Sequence, residues 1–460
     1  MFTGMFPRFL SSIISWRSVA VLAVIASLLQ VTNVLLTRLL KQRQLTAAEA
    51  AAGEGSYGLG QRVGLKGQHA PFRRRDYHLG QKLSDDHQAV LSRIARWSVL
   101  DSTGEFRVSV GVLRGSGIEA SQDEGLDGRD EQDLPESHGL TLVTQCSFAR
   151  LHRLPLLAKH WQGPISIAVF ALSGEVQAVV QTFHLLRQCY PGIKENVTFS
   201  LIFPLNSPTS PHLTPTSNTT PCEKIFSEID QVNYDIKGIQ YPANLLRNSA
   251  RKATITPLMM VIDIDIVPSS GLHDAFVSYA NEKNLFGENS GEEKTVWVVP
   301  IYEIKESAGI PKTKQDLLKM RENGTARPFY QETCLNCQRY TNYEAWEKSR
   351  EGRVGYVEPL YEVLWKAVWE PFYIGRNNIP LYDERFRQFG YNRISQVCEL
   401  HMAGYRFLVL DTAFAVHEGF KTAGGFHKTK DMELEKNRIL FRQFREELKD
   451  KYPESSRRCY

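Results

Sequence analysis

The sequence predicts an α/β fold with a mostly parallel central sheet and helices on both faces. From Gly139 onwards, short apolar runs that are typical of buried strands alternate with amphipathic segments that are typical of helices. A β-α-β-α-β order of this kind favours parallel strands, because the connecting helices pack on the faces of the sheet. A further apolar run ends in Asp263 and Asp265, where a buried parallel strand would leave the sheet.

The elements of the predicted sheet follow in order from residue 139. The first strand is LTLVTQCSF, the first helix is LHRLPLLAKHWQ and the second strand is ISIAVFAL. The next helix and strand are EVQAVVQTFHLLRQ and VTFSLIFPL. A loop rich in Pro, Ser and Thr spans 206–221, and the helix YPANLLRNSARKA then leads to the strand LMMVIDID. After residue 287, strands such as TVWVVPIYEI alternate with long loops, which are the usual carriers of recognition residues.

The N-terminus predicts a single membrane anchor. Residues 18–36 carry no charge and are just long enough to cross a bilayer as a helix, and basic residues rather than a small-residue cleavage site follow them. The flanking charges do not decide the orientation. Sequons at Asn196, Asn218 and Asn323 favour entry of the long C-terminal part into the secretory lumen. The predicted type II organisation is a cytoplasmic tail at 1–17, a signal-anchor at 18–36, a partly irregular lumenal stem at 37–138 and a globular domain at 139–460.

Most of the predicted stem is polar and irregular. One segment within it, SDDHQAVLSRIARWSVLDSTGEFRVSVGVL, changes from helical to alternating periodicity, and we expect it to pack on the globular domain. The basic cluster at 73–75 fits a solvated linker. A net charge of +4 over 460 residues is too small to favour nucleic acid as a partner.

Seven cysteines in an oxidising compartment predict disulfides, with at least one cysteine left unpaired in the monomer. Cys334 and Cys337 have the spacing of half a zinc site, but no second pair and no suitably spaced histidines accompany them. The sequence therefore predicts either a local disulfide between these two residues or two structural thiols.

Asp263 and Asp265 are the most informative residues of the chain. Two carboxylates one residue apart can share one divalent cation, because hard ions such as Mg²⁺ and Mn²⁺ prefer oxygen ligands. A cation held there can hold a diphosphate, and open α/β sheets bind ligands just outside the carboxyl ends of their strands. This pattern indicates the metal chemistry of a nucleotide-sugar transferase, and the alternative is a solvated turn after a strand.

Five stretches carry a family resemblance: YPANLLRNSA, VIDIDIVPSSGL, WEPFYI, LYDERFRQFGYNRISQVCELH and VHEGFK. In this order and spacing they closely resemble the beta-1,4-glucuronyltransferases, from about residue 139 to 459, and more distantly the second catalytic domain of the bifunctional transferase LARGE. The resemblance implies a Golgi type II hexosyltransferase whose residues 139–460 form a GT-A nucleotide-diphospho-sugar transferase domain. It also implies inverting transfer of glucuronic acid from UDP-glucuronate to a β-linked xylose, which primes matriglycan on O-mannosylated α-dystroglycan.

The resemblance also implies a metal site. Asp263 and Asp265 would bind Mn²⁺, which bridges the phosphates of UDP, and His417 lies at the position of the family's third metal ligand. The alternative for His417 is a core histidine near a strand end. Lys421 is a candidate contact to the departing diphosphate, although exposed lysines are usually only solvated.

The candidate donor-binding residues lie on two predicted helices. Asn244, Arg247 and Asn248 are on the helix before the metal strand, and the i, i+3, i+7 spacing places Asn244, Arg247 and Arg251 on one face. A guanidinium suits recognition of a uronate carboxylate, and either Arg247 or Arg393 can supply it. The alternative for Arg247 is a surface ion pair.

Inversion requires a general base on the acceptor hydroxyl, and a carboxylate is the usual provider. Asp383 is the first candidate and Glu384 the second, and the resemblance favours Asp383. Either carboxylate can instead be structural and pair with Arg385 or Arg387.

Trp369 and Glu370 are the candidate acceptor-binding residues. A tryptophan offers a flat apolar face against which sugars stack, and a neighbouring carboxylate accepts hydrogen bonds from sugar hydroxyls. Tryptophan is as often a core residue.

Three functional hypotheses follow. The first is a Mn²⁺-dependent glucuronyltransferase, which needs Asp263, Asp265, His417 and Asp383 together. The second keeps the fold and the metal but uses UDP-N-acetylglucosamine and a lactosamine acceptor, so no basic residue would read a carboxylate. The third is a non-catalytic Golgi scaffold for a partner transferase such as LARGE, and loss of a metal ligand would have favoured it.

Overall fold

The computed structural model describes residues 74–117, 139–205, 222–226, 238–287, 294–349, 355–422 and 429–459, with side chains from residue 86 onwards. The predicted anchor at 18–36 and the sequon at Asn218 lie outside these ranges. Within them, no helix is both long enough and apolar enough to cross a membrane. All of them belong to one unit, which spans Arg73–Tyr460.

The described residues form fourteen strands. In chain order these are β1 (Val99–Leu100), β2 (Phe106–Leu113), β3 (Leu140–Ser147), β4 (Ile165–Phe170), β5 (Val197–Pro204), β6 (Leu258–Val261), β7 (Ile266–Pro268), β8 (Thr295–Val299), β9 (Ile301–Ile304), β10 (Ala326–Pro328), β11 (Pro359–Val363), β12 (Phe372–Arg376), β13 (Arg406–Leu410) and β14 (Ala415–Glu418).

The same residues form eleven α-helices. In chain order these are α1 (Arg74–Trp97), α2 (Leu154–Trp161), α3 (Val176–Cys189), α4 (Pro191–Asn196), α5 (Ala243–Lys252), α6 (Leu272–Glu282), α7 (Lys314–Glu322), α8 (Leu335–Gln338), α9 (Tyr343–Lys348), α10 (Asn392–Met402) and α11 (Lys430–Lys451).

The larger sheet has the strand order β1-β2-β5-β4-β3-β6-β12-β8-β13-β11. Its four central strands, β5, β4, β3 and β6, are all parallel, which confirms the order that the β-α-β pattern predicts. Only β2, β12 and β11 run against the other seven strands in this part of the chain. The sheet is therefore mostly parallel in direction, with β12 inserted antiparallel between β6 and β8.

The smaller sheet has the strand order β10-β9-β14-β7, and its register assembles the candidate site. β7 begins directly after Asp265, and β14 pairs with it so that His417 lies opposite Ile266. On its other side β14 pairs with β9, where His417 lies opposite Glu303. The pairing of β7 with β14 therefore places a histidine next to the second aspartate of the motif.

The segment that the sequence places within the stem joins the larger sheet, as we expected from its periodicity. β2 pairs antiparallel with β5, and Phe106 and Val108 on it are buried. The sheet thus extends beyond the domain start predicted at residue 139. Arg74 and Arg75, which belong to the basic cluster at 73–75, begin α1.

Three disulfides join Cys189 to Cys222, Cys334 to Cys337 and Cys398 to Cys459. The local bridge predicted for the Cys334 pair is confirmed. Cys146 is buried and unpaired, which agrees with the prediction that one of seven cysteines stays free. Two sequons lie at helix ends: Asn196 ends α4, and Asn323 follows α7 on the surface.

Candidate active site

The motif lies in a turn between the two sheets. β6 ends at Val261, and the backbone N–H of Ile266 donates to the carbonyl of Asp263 at 3.0 Å, which closes the turn. Ile264 between the two aspartates is buried and only 6% exposed. Because a buried isoleucine anchors the turn, both carboxylates are held at the carboxyl end of β6, a central strand of the larger sheet.

Asp265 and His417 form one half of the site. Nε2 of His417 lies 3.2 Å from Oδ2 of Asp265, and Nδ1 lies 2.8 Å from the carbonyl of Gly419. A carbonyl can only accept, so Nδ1 donates to Gly419, and Nε2 faces the carboxylate of Asp265. Either a proton on Nε2 or a bound cation can lie between these two atoms, and a carboxylate oxygen with an imidazole nitrogen is a donor set that suits Mn²⁺.

The charges around Asp265 favour its ionised form. Burial raises the pKa of Asp265, but a hydrogen bond from His417 and the positive charges of His417, Lys421 and Arg153 together lower it further, and the net result is a pKa well below the usual value. Asp265 therefore stays ionised. Within the described ranges, no three or more His, Cys, Asp or Glu side chains cluster closely enough to hold a metal ion on their own. Phosphate oxygens commonly complete such a site.

Asp263 forms the other half, and it is held by cations. Nη2 of Arg247 donates to its Oδ1 at 2.9 Å, and Nη1 of Arg393 lies 3.7 Å from its Oδ2. Gln145 also donates to Oδ1, at 3.3 Å. Burial raises the pKa of Asp263, but the two arginines lower it further than burial raises it. The two aspartates thus have different partners, and the pair that fits a cation is Asp265 with His417.

Arg247 is the residue of α5 that reaches the motif. It is buried, with 3% exposed, so the surface ion pair that the sequence left open is excluded. Its Nη1 donates to Oδ1 of Asn244 at 2.9 Å while its Nη2 binds Asp263. Each terminal nitrogen of Arg247 therefore donates within the protein, and Arg247 acts as the clamp on Asp263, while its buried Nε has no hydrogen-bond partner.

The structure gives Asn244 and Asn248 contacts to backbone groups, and their donor-binding role stays a prediction. Asn244 is fully buried and donates to the carbonyls of Asp383 and Asn392, at 2.8 and 3.0 Å. Asn248 is 1% exposed, and its side-chain amide donates to the carbonyl of Tyr382 and accepts from the backbone N–H of the same residue. Their amides are saturated by the chain that follows β12, so they hold this segment against α5. Arg251 does the same, through the carbonyls of Asn377, Ile379 and Pro380.

Arg393 and Glu370 extend the site beyond Asp263. Nη2 of Arg393 lies 3.5 Å from Oε1 of Glu370, and its guanidinium lies 3.9 Å from the centre of the Phe372 ring. Arg393 is 7% exposed, and Nη1 has no hydrogen-bond partner. Burial raises the pKa of Glu370 despite the opposing effect of Arg393. The structure therefore brings Glu370, Arg393 and Asp263 together.

Trp369 does not stack on an acceptor. It is fully buried, its Nε1 donates to Thr341 at 3.1 Å, and its ring lies 5.5 Å from that of Phe407. The core interpretation is the correct one for Trp369, because a side chain with no exposed surface cannot contact a sugar.

The side chains of Asp383 and Glu384 bond to residues outside the aspartate motif. The guanidinium of Arg385 spans both carboxylate oxygens of Asp383, at 2.6 to 3.0 Å, which is the structural pairing that the sequence left open. Glu384 accepts from Asn248 at 2.9 Å. Both residues line a cavity of about 300 Å³ beside the turn between β1 and β2. No hydrogen bond or ion pair among the described residues joins either carboxylate to Asp265 or His417.

Comparison with known proteins follows this geometry. Residues 139–453 match the sequence pattern of a family described as "Glycosyl-transferase for dystroglycan". The chain belongs to this glycosyltransferase family. It is 40% identical over 375 residues to beta-1,4-glucuronyltransferase 1 of Danio rerio, covering 78% of this chain and 83% of the relative. The Homo sapiens protein of that name is 37% identical, covering 80% and 84%. Xylosyl- and glucuronyltransferase LARGE1 of Homo sapiens is 28% identical, covering 68% of this chain and 35% of the relative.

Several residues near the site of this glycosyltransferase are not predicted by the sequence. Gln145 lies near the carboxyl end of β3, beside β6 and its motif, so its position in the predicted strand was a usable signal. The sequence gives no such signal for Tyr330, Glu303 and Arg327, because they lie in a predicted strand and in loops without motif spacing. Tyr330 lies near the carboxylates of the site: burial raises its pKa, and Glu370 raises it further.

Proposed function

We propose that this chain is an inverting glucuronyltransferase, which transfers glucuronic acid from UDP-glucuronate to a β-linked xylose. The acceptor would be the O-mannosyl glycan of α-dystroglycan, where the product primes matriglycan. The observation that carries the proposal is the cation-compatible Asp265–His417 pair beside two buried arginines, in a chain of this family. All of these residues lie within the region that matches the family.

The residues present fit a bound divalent cation, for which we propose Mn²⁺. Asp265 and His417 would hold it, and the hydrogen bond from Nδ1 to Gly419 fixes the ring so that Nε2 faces the site. A bound cation supplies charge stabilisation for the departing diphosphate. Lys421, whose charge helps to lower the pKa of Asp265, adds a second positive charge on the same side.

We propose Arg393 rather than Arg247 as the residue that reads the uronate carboxylate. Both terminal nitrogens of Arg247 already donate to Asn244 and Asp263. Nη1 of Arg393 makes no hydrogen bond and lies 3.7 Å from Oδ2 of Asp263, and the Phe372 ring packs on the guanidinium. A buried guanidinium with an open donor suits a planar carboxylate, for which a charge-assisted bond is strong.

Replacement of Arg393 by Lys is expected to raise the KM for UDP-glucuronate by roughly 10-fold or more, because the lost charge-assisted bond contributes about 1.5–3 kcal/mol. Binding of UDP, which has no carboxylate, should change little. Calorimetric titration with UDP and initial rates with UDP-glucuronate provide the two readouts. The control is Arg406→Lys, which alters an exposed pair with Glu362. Equal losses for UDP and UDP-glucuronate would make Arg393 a structural residue only.

The cellular setting belongs to the same proposal. The uncharged stretch at 18–36 and the sequons at Asn196 and Asn323 support a Golgi type II membrane protein with a lumenal catalytic domain. LARGE would then act on the product as a partner transferase.

The test of function uses the lumenal portion from residue 74 with Mn²⁺, a β-xyloside acceptor and two donors in parallel. Transfer from UDP-glucuronate that stops on chelation is the expected result. Transfer only from UDP-N-acetylglucosamine would overturn the donor and keep the enzyme class. Absence of transfer from both donors would favour a scaffold that recruits another transferase.

A further inference from the structure

A buried carboxylate outside the metal motif connects three segments around the site. Glu303 on β9 has no exposed surface. Its Oε1 accepts from the backbone N–H of Tyr330 at 2.9 Å, and its Oε2 accepts from the backbone N–H of Lys421 at 3.1 Å. Arg327 on β10 donates to Oε2 at 2.7 Å and supplies the opposite charge. Every contact of this carboxylate goes to a segment that borders His417.

Arg327 holds the same segment from its other end. Its Nη2 donates to the carbonyl of Lys421 at 2.8 Å, and its guanidinium lies 4.3 Å from the centre of the Phe420 ring. The N–H and the C=O of Lys421 are therefore both bound by one ion pair. A buried salt bridge often adds little net stability, so stability alone does not explain why Glu303 and Arg327 both bind the backbone of Lys421.

The bound segments lie beside the proposed cation ligands. The ring of Phe329, next to Tyr330, lies 5.9 Å from that of His417 and 5.8 Å from Nζ of Lys421. The position of this ammonium relative to the Asp265–His417 pair thus depends on a backbone that Glu303 and Arg327 fix.

We propose that Glu303 and Arg327 are positioning residues, which hold Lys421 where its ammonium meets the diphosphate of a nucleotide bound at the Asp265–His417 pair. This inference rests on the proposed function only in that the ligand carries a diphosphate. The identity of the sugar and of the acceptor does not enter it.

The test is Arg327→Lys, measured by calorimetric binding of UDP and of UMP in the presence of Mn²⁺. This variant keeps a cation beside Glu303 but removes the donor to the Lys421 carbonyl. The Kd for UDP should rise about 10-fold, as expected for one charge-assisted bond, while the Kd for UMP changes less than about twofold. The matched control is Arg321→Lys, because Arg321 pairs with Glu347 at 2.8 Å in the same part of the fold.

A double-mutant cycle with Lys421→Ala separates positioning from general stability. If the ion pair acts through Lys421, Arg327→Lys should add less than about twofold to the UDP Kd of Lys421→Ala. Equal weakening of UDP and UMP, or full additivity, would overturn the proposal. Should Arg327→Lys fail to fold, Phe420→Leu loosens Arg327 without removing a buried charge, and the same selectivity for UDP is required of it. Protein that binds UDP but transfers no glucuronate would overturn the proposed function alone.

Discussion

Replacement of Asp265 by Asn is expected to abolish glucuronyl transfer, with a fall in kcat/KM of about 10³-fold or more. In the proposed function Asp265 would be the charged ligand of the cation, and metal stabilisation of a developing negative charge is worth several kcal/mol. His417→Ala should have a similar effect, because the imidazole supplies the second ligand. Initial rates with UDP-glucuronate at saturating Mn²⁺ measure both variants.

The control for this experiment is a second aspartate–histidine pair on the surface. Oδ1 of Asp274 lies 2.7 Å from Nδ1 of His273, and Asp274 is 84% exposed. Asp274→Asn removes the same chemical group and should leave the rate unchanged. Normal transfer by Asp265→Asn, or by wild-type protein after chelation, would show that the reaction does not use a cation at this pair.

Asp263→Asn should behave differently from Asp265→Asn. Asp263 neutralises Arg247, which is buried, so its loss leaves a buried guanidinium without a carboxylate. Removing one partner of a buried pair typically destabilises a protein, so this variant should lose thermal stability together with activity. The sequence motif treats the two aspartates alike, whereas the fold places His417 beside Asp265 and two arginines beside Asp263.

The local patterns in the sequence were sufficient to predict the strands of the parallel core and the position of the motif at a strand end. Apolar runs of four to eight residues and the helices between them specify these features within short windows. The approach of His417 to Asp265 depends instead on the pairing of β7 with β14, across 152 residues, which no local pattern contains. The resemblance, and not periodicity, provided His417.

The packing contacts of these candidate residues have a common physical origin. Asn244, Asn248 and Trp369 carry groups that also recognise sugars and phosphates, and their chemistry alone does not tell which partner they meet. In the fold their polar atoms are satisfied by backbone carbonyls or Thr341. Buried polar groups need such hydrogen-bond partners. The polar residues of a sequence motif can therefore serve packing inside the protein instead of ligand binding. Tertiary contacts decide the question.

Replacement of Glu370 by Gln is expected to lower kcat by about 10²–10⁴-fold, the usual contribution of a general base. Asp383 was the first candidate for this role, but Arg385 occupies both of its oxygens. Glu370 lies next to Arg393, whose other nitrogen faces Asp263, so it is the carboxylate that shares the site. Asp383→Asn should therefore cost less than about 10-fold in kcat, and the order of the two losses identifies the base.

The pH profile gives an independent readout of the same assignment. Burial raises the pKa of Glu370, and a base must be ionised to accept a proton. As the pH is lowered, activity should therefore begin to fall at a pH above the ordinary glutamate pKa of about 4.3. The reason is that the buried carboxylate of Glu370 takes up its proton at a higher pH than an exposed carboxylate does. Glu370→Gln should remove this acid limb from its residual rate, whereas Asp383→Asn should retain it. An acid limb that survives in Glu370→Gln and disappears in Asp383→Asn would return the role of base to Asp383, and Arg385 would then have to release that carboxylate when the acceptor binds.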